Sequence, residues 1–203
     1  YKIIPNYWND LTIFELWWLI NCKHINIIWN NFKFNKKKNK SIIMKKKILI
    51  STGGSGGHVM PAVTIHDHLK TEYDILISTD LRGLKYLNNE IYKIVIVNTP
   101  KLNNLILLPY TILKVFFLII KSLFLLKKEK IQILISTGGY MSLPLCLAAK
   151  ILNIKIFLLE PNMVIGRANK FFLNFCEKII CYNSNIINFP KKFLNKLIIL
   201  NPL

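Results

Sequence analysis

The residues best suited to chemistry run from Ile48 to His58, I-L-I-S-T-G-G-S-G-G-H. A short apolar run ends in a glycine-dense loop, and Val59–Lys70 then reads as a helix. The first seven letters recur unchanged: Ile48–Gly54 and Ile133–Gly139 are both I-L-I-S-T-G-G. Each copy predicts a buried strand running into glycines that open a helix. Glycine lets a backbone approach a ligand closely, and a helix N-terminus offers unpaired N–H groups at the positive end of its dipole. In a parallel α/β sheet both loops lie at the carboxyl edge, where ligands bind. This spacing suits the holding of a polar, anionic group between two glycine loops. The plainer alternative is that the glycines only make tight turns.

The elements that must position these loops alternate in type. Strands are predicted at Lys46–Ser51, Tyr73–Ser78, Ile91–Val97, Ile131–Ser136, Lys155–Leu159 and Lys178–Cys181, with a last short one at Lys196–Leu200. Between them fall a short helix at Leu81–Asn89, a long apolar helical stretch at Leu102–Leu126 and a helix at Ser142–Leu152. Another helix is expected near Gly166–Phe175, after the E-P-N of Glu160–Asn162. This rhythm predicts a Rossmann-like α/β fold, a doubly wound parallel sheet with right-handed crossovers.

The 203 residues suffice for one such domain with a substantial core. The net charge is +18, and only Arg82 and Arg167 are arginines among 28 basic residues. A lysine-rich solvated surface explains that charge most simply, and attraction to a membrane surface comes next. No helix-turn-helix spacing, zinc pattern or RNA-binding aromatic signature favours a nucleic-acid partner. Cys22, Cys146, Cys176 and Cys181 form no CxxC and read as reduced thiols. No metal-ligand cluster or cofactor is called for.

Residues 1–43 differ in character from the rest of the chain. They hold all four tryptophans without a sustained period, and Lys33–Lys40 is a Lys/Asn run. The stretch has neither the uninterrupted apolar core of a signal peptide nor the roughly 20 apolar residues of a spanning helix. Met44 opens M-K-K-K-I-L-I-S, so 1–43 are expected to be a leader outside the fold, with an interfacial membrane segment as the alternative.

Gly53–Val59 is not G-x-G-x-x-G, and no G-K-[ST] follows, so neither a dinucleotide fingerprint nor a P-loop is present. Instead, G-G-S-G-G-H-V-M-P-A at 53–62 resembles the first glycine loop of the MurG family, bacterial lipid-linked glycosyltransferases. G-G-Y-M-S-L-P at 138–144, with L-A-A at 147–149, resembles the second loop. Glu160–Asn162 with Gly166–Lys170 is similar to the family's H-E-Q-N…G…x-N-[KR] stretch, and Asn201-Pro202 to the N-P-V closing its first domain. Leu159, Pro161 and Leu143 depart from the usual His, Gln and Gly. The resemblance covers about 44–203 and stops where an interdomain linker would begin.

The resemblance implies the N-terminal, acceptor- and membrane-binding half of a GT-B glycosyltransferase, inactive alone because most donor contacts belong to a second domain. The family moves N-acetylglucosamine from UDP-GlcNAc to the MurNAc 4-hydroxyl of undecaprenyl-pyrophosphoryl-MurNAc-pentapeptide, with inversion, in peptidoglycan synthesis. It works at the cytoplasmic face of the anionic inner membrane. His58 matches the candidate base; an unperturbed imidazole titrates near about 6.5, suited to proton transfer at neutral pH. The alternative is that His58 only orients the loop. Ser55, Gly56, Gly57 and Asn162 match donor-contacting positions, and Gly138, Gly139, Tyr140 and Ser142 would lie by the acceptor. Glu160 either holds a loop or takes part in chemistry. Two other readings are a non-catalytic acceptor-binding subunit of a split GT-B enzyme and a nucleotide-binding oxidoreductase.

Overall fold

Seven parallel strands form one sheet. The computed structural model describes residues 45–100, 108–183 and 186–200. In chain order the strands are β1 (Lys47–Ser51), β2 (Asp74–Thr79), β3 (Ile94–Ile96), β4 (Ile133–Ser136), β5 (Lys155–Glu160), β6 (Lys178–Cys181) and β7 (Leu197–Ile199). Their spatial order is β3-β2-β1-β4-β5-β6-β7, so the winding reverses between β1 and β4. The helices are α1 (Gly56–Leu69), α2 (Leu108–Lys128), α3 (Leu143–Ile151) and α4 (Arg167–Phe172). Short 3-10 turns occupy Gly83–Tyr86, Tyr140–Ser142 and Lys191–Lys196. The Rossmann-like, doubly wound sheet expected from the sequence is present.

Right-handed crossovers put α1 on one face and α2 and α3 on the other, because the chain leaves β1 and β4 in opposite directions. The strand sequences fit that arrangement. Ile48 and Ile50 pack with Val59, Ala62 and Leu69 of α1. Leu49 and Leu134 point the other way, toward Leu145, Cys146 and Ala149 of α3 and Leu126 of α2. Both faces are covered, which is why these strands read as apolar runs rather than as alternating ones. Burial pushes the Cys146 thiol up to about 12 and the Cys181 thiol to about 12, and both are free cysteines.

Several elements differ from expectation in their bounds. Helix α1 begins at Gly56, not Val59, because Gly56 and Gly57 take helical geometry themselves. That puts His58 in the first turn of α1. The expected helix at 81–89 is only a 3-10 turn, and β3 is three residues long. Residues 1–44 and 201–203 lie outside the described residues, as do 101–107 of the long apolar stretch.

Candidate active site

The repeated heptapeptide is the centre of the site. β1 and β4 are neighbours, with Ile48 opposite Ile133 and Ser51 opposite Ser136. The two copies therefore run side by side in register, at the point where the winding reverses. Crossovers diverge there and leave a crevice at the carboxyl ends of the strands. The pairing continues past the strands: the Thr137 amide donates to the Ser51 carbonyl at 3.0 Å. The Thr137 hydroxyl donates to the Thr52 hydroxyl at 2.9 Å, which donates in turn to the His58 carbonyl at 2.8 Å. Thr52 and Thr137 are both buried, so this chain ties the two loops together inside the protein.

Both loops then turn through left-handed backbone. Gly54 has φ 87°, Gly138 94° and Gly139 81°. A residue with a Cβ is strained there. At Gly138 a Cβ would also meet the Asn169 amide nitrogen at 3.3 Å and His58 Cε1 at 3.4 Å.

His58 joins the loops through its side chain. Its Nδ1 lies 2.8 Å from the Thr137 carbonyl oxygen. A carbonyl only accepts, so Nδ1 carries the proton, and in the neutral ring Nε2 holds the lone pair. The two carbons that flank Nε2 are Cε1 and Cδ2. Cε1 would lie 3.4 Å from a Cβ on Gly138, and Cδ2 4.0 Å from one on Gly139. The basic nitrogen is thus presented beside the second glycine loop, in space that only glycine leaves open.

An acidic side chain braces the loops on each flank of this pair. Asp80, directly after β2, accepts from the Gly54 amide at 2.9 Å and the Gly83 amide at 2.8 Å, and from Arg82 Nε at 2.8 Å. Burial alone would raise the Asp80 carboxyl, but the two backbone amides and Arg82 outweigh it and hold the group below its ordinary value. Arg82 Nη2 donates to the Tyr140 hydroxyl at 2.6 Å. Glu160, the last residue of β5, accepts at Oε2 from the Gly166 amide at 2.7 Å and from Asn169 Nδ2 at 3.0 Å. Its Oε1 accepts from the amide and side chain of Asn162, at 3.3 and 3.0 Å. With four donors on a buried carboxylate, Glu160 fits the loop-holding alternative.

Ser55, Gly56 and Gly57 lie at the N-terminus of α1, whose first turn holds no acidic residue. Ser55 and Gly57 are exposed, and Asn162 is exposed at the end of β5 with its side-chain amide on Glu160. Gly138, Gly139 and Tyr140 gather round His58 and Arg82. Ser142 faces inward instead: it is fully buried and its hydroxyl donates to the Gly139 carbonyl at 2.8 Å, shaping the loop from behind. Asp80 and Arg82 escape the loop motifs, whereas Asn169 falls at the asparagine of the x-N-[KR] stretch, although that stretch alone does not mark it as a site residue. A signal for Arg82 exists: both arginines of this lysine-rich chain, Arg82 and Arg167, follow carboxyl ends of strands.

The doubly wound parallel sheet with two glycine loops at its switch point is a Rossmann-like domain of the kind found in the N-terminal half of GT-B folds. The chain belongs to glycosyltransferase family 28: residues 48–181 match the family's N-terminal domain. Over 155 residues it is 57% identical to the UDP-N-acetylglucosamine–N-acetylmuramyl-(pentapeptide) pyrophosphoryl-undecaprenol N-acetylglucosamine transferase of Pelagibacter ubique (strain HTCC1062), covering 76% of this chain and 44% of that one. A protein of the same name from Rickettsia prowazekii (strain Madrid E) is 38% identical over 158 residues, 76% of this chain and 40% of the relative. The chain thus spans less than half the length of these relatives. Among solved structures, Acinetobacter baumannii MurG superposes with a TM-score of 0.63 at 23% identity, over 76% of this chain and 45% of that one. The UDP-GlcNAc 2-epimerase of Neisseria meningitidis, bound to UDP-GlcNAc, gives 0.54 at 14% identity, over 75% and 45%. At such identities these two establish the fold alone.

Proposed function

We propose that residues 44–203 are the acceptor- and membrane-binding half of an inverting UDP-GlcNAc-dependent glycosyltransferase of peptidoglycan synthesis. The acceptor is undecaprenyl-pyrophosphoryl-MurNAc-pentapeptide, the substrate that the relatives' names describe. The observation that carries this reading is His58, held through Nδ1 by Thr137 with Nε2 toward the second loop. In the proposed reaction Nε2 takes the proton of the MurNAc 4-hydroxyl. The oxygen attacks C1 of N-acetylglucosamine from the face opposite the nucleotide, a C–O bond forms, and the bond from C1 to the UDP diphosphate breaks with inversion. Ser55, Gly56 and Gly57 supply the α1 N-terminus to the donor, where N–H groups and dipole favour the departing negative charge. Asn162 adds a donor contact, and Gly138, Gly139, Tyr140 and the loop that Ser142 shapes receive the acceptor. The same residues serve in a scheme that asks for no cofactor.

A lipid-linked acceptor requires the site to come near the bilayer, and α2 suits that task. Pro109–Lys128 is long and apolar enough to cross a membrane, and little of it is buried against the rest of the protein. Thr111, Ser122 and Leu126 face the protein, while Tyr110, Ile112, Leu113, Phe116, Phe117 and Phe124 are exposed. Lys114, Lys121, Lys127 and Lys128 lie on the same helix. The strands on either side of α2, β3 and β4, belong to one sheet, so a crossing would tear that sheet apart. The proposed role is peripheral binding at the cytoplasmic face of the inner membrane, with the apolar side in the lipid boundary and the lysines among anionic headgroups. Flotation with anionic liposomes should weaken with salt and with Phe116→Ser or Phe117→Ser; failure of the unaltered chain to float would refute it.

The reading of the whole site is tested by transfer from labelled UDP-GlcNAc to a soluble analogue of the lipid-linked precursor. The chain alone should give negligible product. Joined to the C-terminal half of the Pelagibacter ubique relative, it should turn over. A joined, folded protein that transfers nothing would refute the proposal.

A further inference from the structure

Arg82 has no part in the proposed reaction, yet it stands at the mouth of the crevice. Asp80 is almost wholly buried, with 6% of its side chain accessible, whereas the Arg82 side chain is 45% accessible. The buried carboxylate therefore fixes one edge of a guanidinium that faces solvent. Nη2 spans from the first loop to the second: a Cβ on Gly54 would lie 3.6 Å from it, and the Tyr140 oxygen is 2.6 Å away. The guanidinium carbon also lies 5.6 Å from the centroid of the Tyr140 ring.

This contact has a chemical consequence. A guanidinium only donates, so the Tyr140 oxygen accepts from Arg82 and its own O–H remains available to a ligand. Arginine has five N–H donors, and Asp80 and Tyr140 take one each. The pair therefore offers guanidinium N–H and phenol O–H donors side by side, with no acceptor of its own turned outward. The group that satisfies such a set is an oxygen-rich anion. Gly54 and Gly139, which lack side chains, leave room for it.

We propose that Arg82 is a ligand-positioning residue that, held by Asp80, orders Tyr140 so that the two together grip a phosphate of a diphosphate-bearing ligand between the glycine loops. The inference rests on the reading of the site given above and adds a residue to it. Lysine would not replace Arg82, because an ammonium on a flexible stem cannot reproduce the planar fork that meets Asp80 and Tyr140 together.

The test is titration of the full chain with sodium pyrophosphate at low ionic strength, followed by 1H–15N NMR. The Arg82 Nε–H and the amides of Gly54 and Tyr140 should shift. Arg82→Gln should weaken binding about tenfold, the scale of a lost charge-assisted hydrogen bond. Arg82→Lys should recover only part of that, and Tyr140→Phe, which keeps the ring, should weaken binding several-fold at an unchanged melting temperature. Parallel titrations with UDP and with a short-chain prenyl pyrophosphate assign the diphosphate to the nucleotide or the lipid side, according to which loses affinity in Arg82→Gln. Unchanged pyrophosphate binding in folded Arg82→Gln and Tyr140→Phe, or no binding by the unaltered chain, would overturn the proposal. Transfer by the joined protein, read separately, would then still stand.

Discussion

The two glycine loops begin from the same seven residues and end as different devices. Up to Thr52 and Thr137 they are equivalent: neighbouring parallel strands of the same sequence, paired in register, with one hydrogen-bonded chain between them. Beyond that point their neighbours separate them. The first loop leans on Asp80 and passes straight into α1, which carries His58 back over the second. The second lies beneath the His58 ring and beside Asn169, and turns into a 3-10 segment before α3. Identical sequence sets identical strand ends; the residues packed against each end decide what it does. The first loop delivers His58, the proposed base, and a helix terminus; the second is the cradle that the His58 ring overlooks.

The sharpest way to break this contrast is to remove the proposed base. In the joined protein, His58→Ala should lower turnover by about 10²–10⁴-fold. His58→Gln should not restore it, although the amide can still donate to Thr137. Near-normal turnover in both variants would make His58 an orienting residue only.

Next in size are the left-handed glycines. Gly54→Ala should cost about 1–2 kcal/mol for its backbone alone, since a Cβ there meets only Arg82 Nη2, at an ordinary contact distance of 3.6 Å. Gly138→Ala should cost about 1–3 kcal/mol more, because the methyl must displace His58 or Asn169. Equal losses in thermal melts of the two variants would mean that the cradle is not packed as described.

The smallest effect concerns the brace of the first loop. The Asp80 carboxyl is held below its ordinary value. Its stabilising contribution is therefore complete above the unfolded-state value of about 3.9 and is lost as pH falls through the lower folded one. Asp80→Asn should melt below the unaltered chain at neutral pH, and the gap should narrow as pH drops below about 4. A gap independent of pH would mean that the charge of Asp80 is not what holds Gly54.

Most of this arrangement can be read in the letters. Ile48–Gly54 and Ile133–Gly139 reveal two strands and two loops, and alternation supplies the parallel sheet. His58 stands out because it directly follows the glycines. What stays hidden is lateral. Asp80 and Arg82 reach the first loop only because β2 pairs with β1, and that pairing depends on the hand of the crossover rather than on any local spacing. Asn169 reaches Gly138 from α4, past an intervening strand and loop. The start of α1 is hidden because glycine is a poor helix former; here Gly56 and Gly57 are recruited by a helix that packs on the sheet further along. β3 is shorter than its letters suggest because Ile91 and Tyr92 have the apolar character of strand residues yet fold into a turn.

The central claim is that this half of the site holds the acceptor and presents His58 to it. The most direct measurement is a 1H–15N NMR titration of the chain with a soluble prenyl-pyrophosphoryl-MurNAc-pentapeptide analogue, with UDP-GlcNAc as the comparison. The account predicts saturable shifts at Gly138, Gly139, Tyr140 and the His58 ring, and markedly weaker binding of UDP-GlcNAc. Shifts confined to residues outside the two loops, or tighter binding of UDP-GlcNAc than of the acceptor analogue, would contradict it.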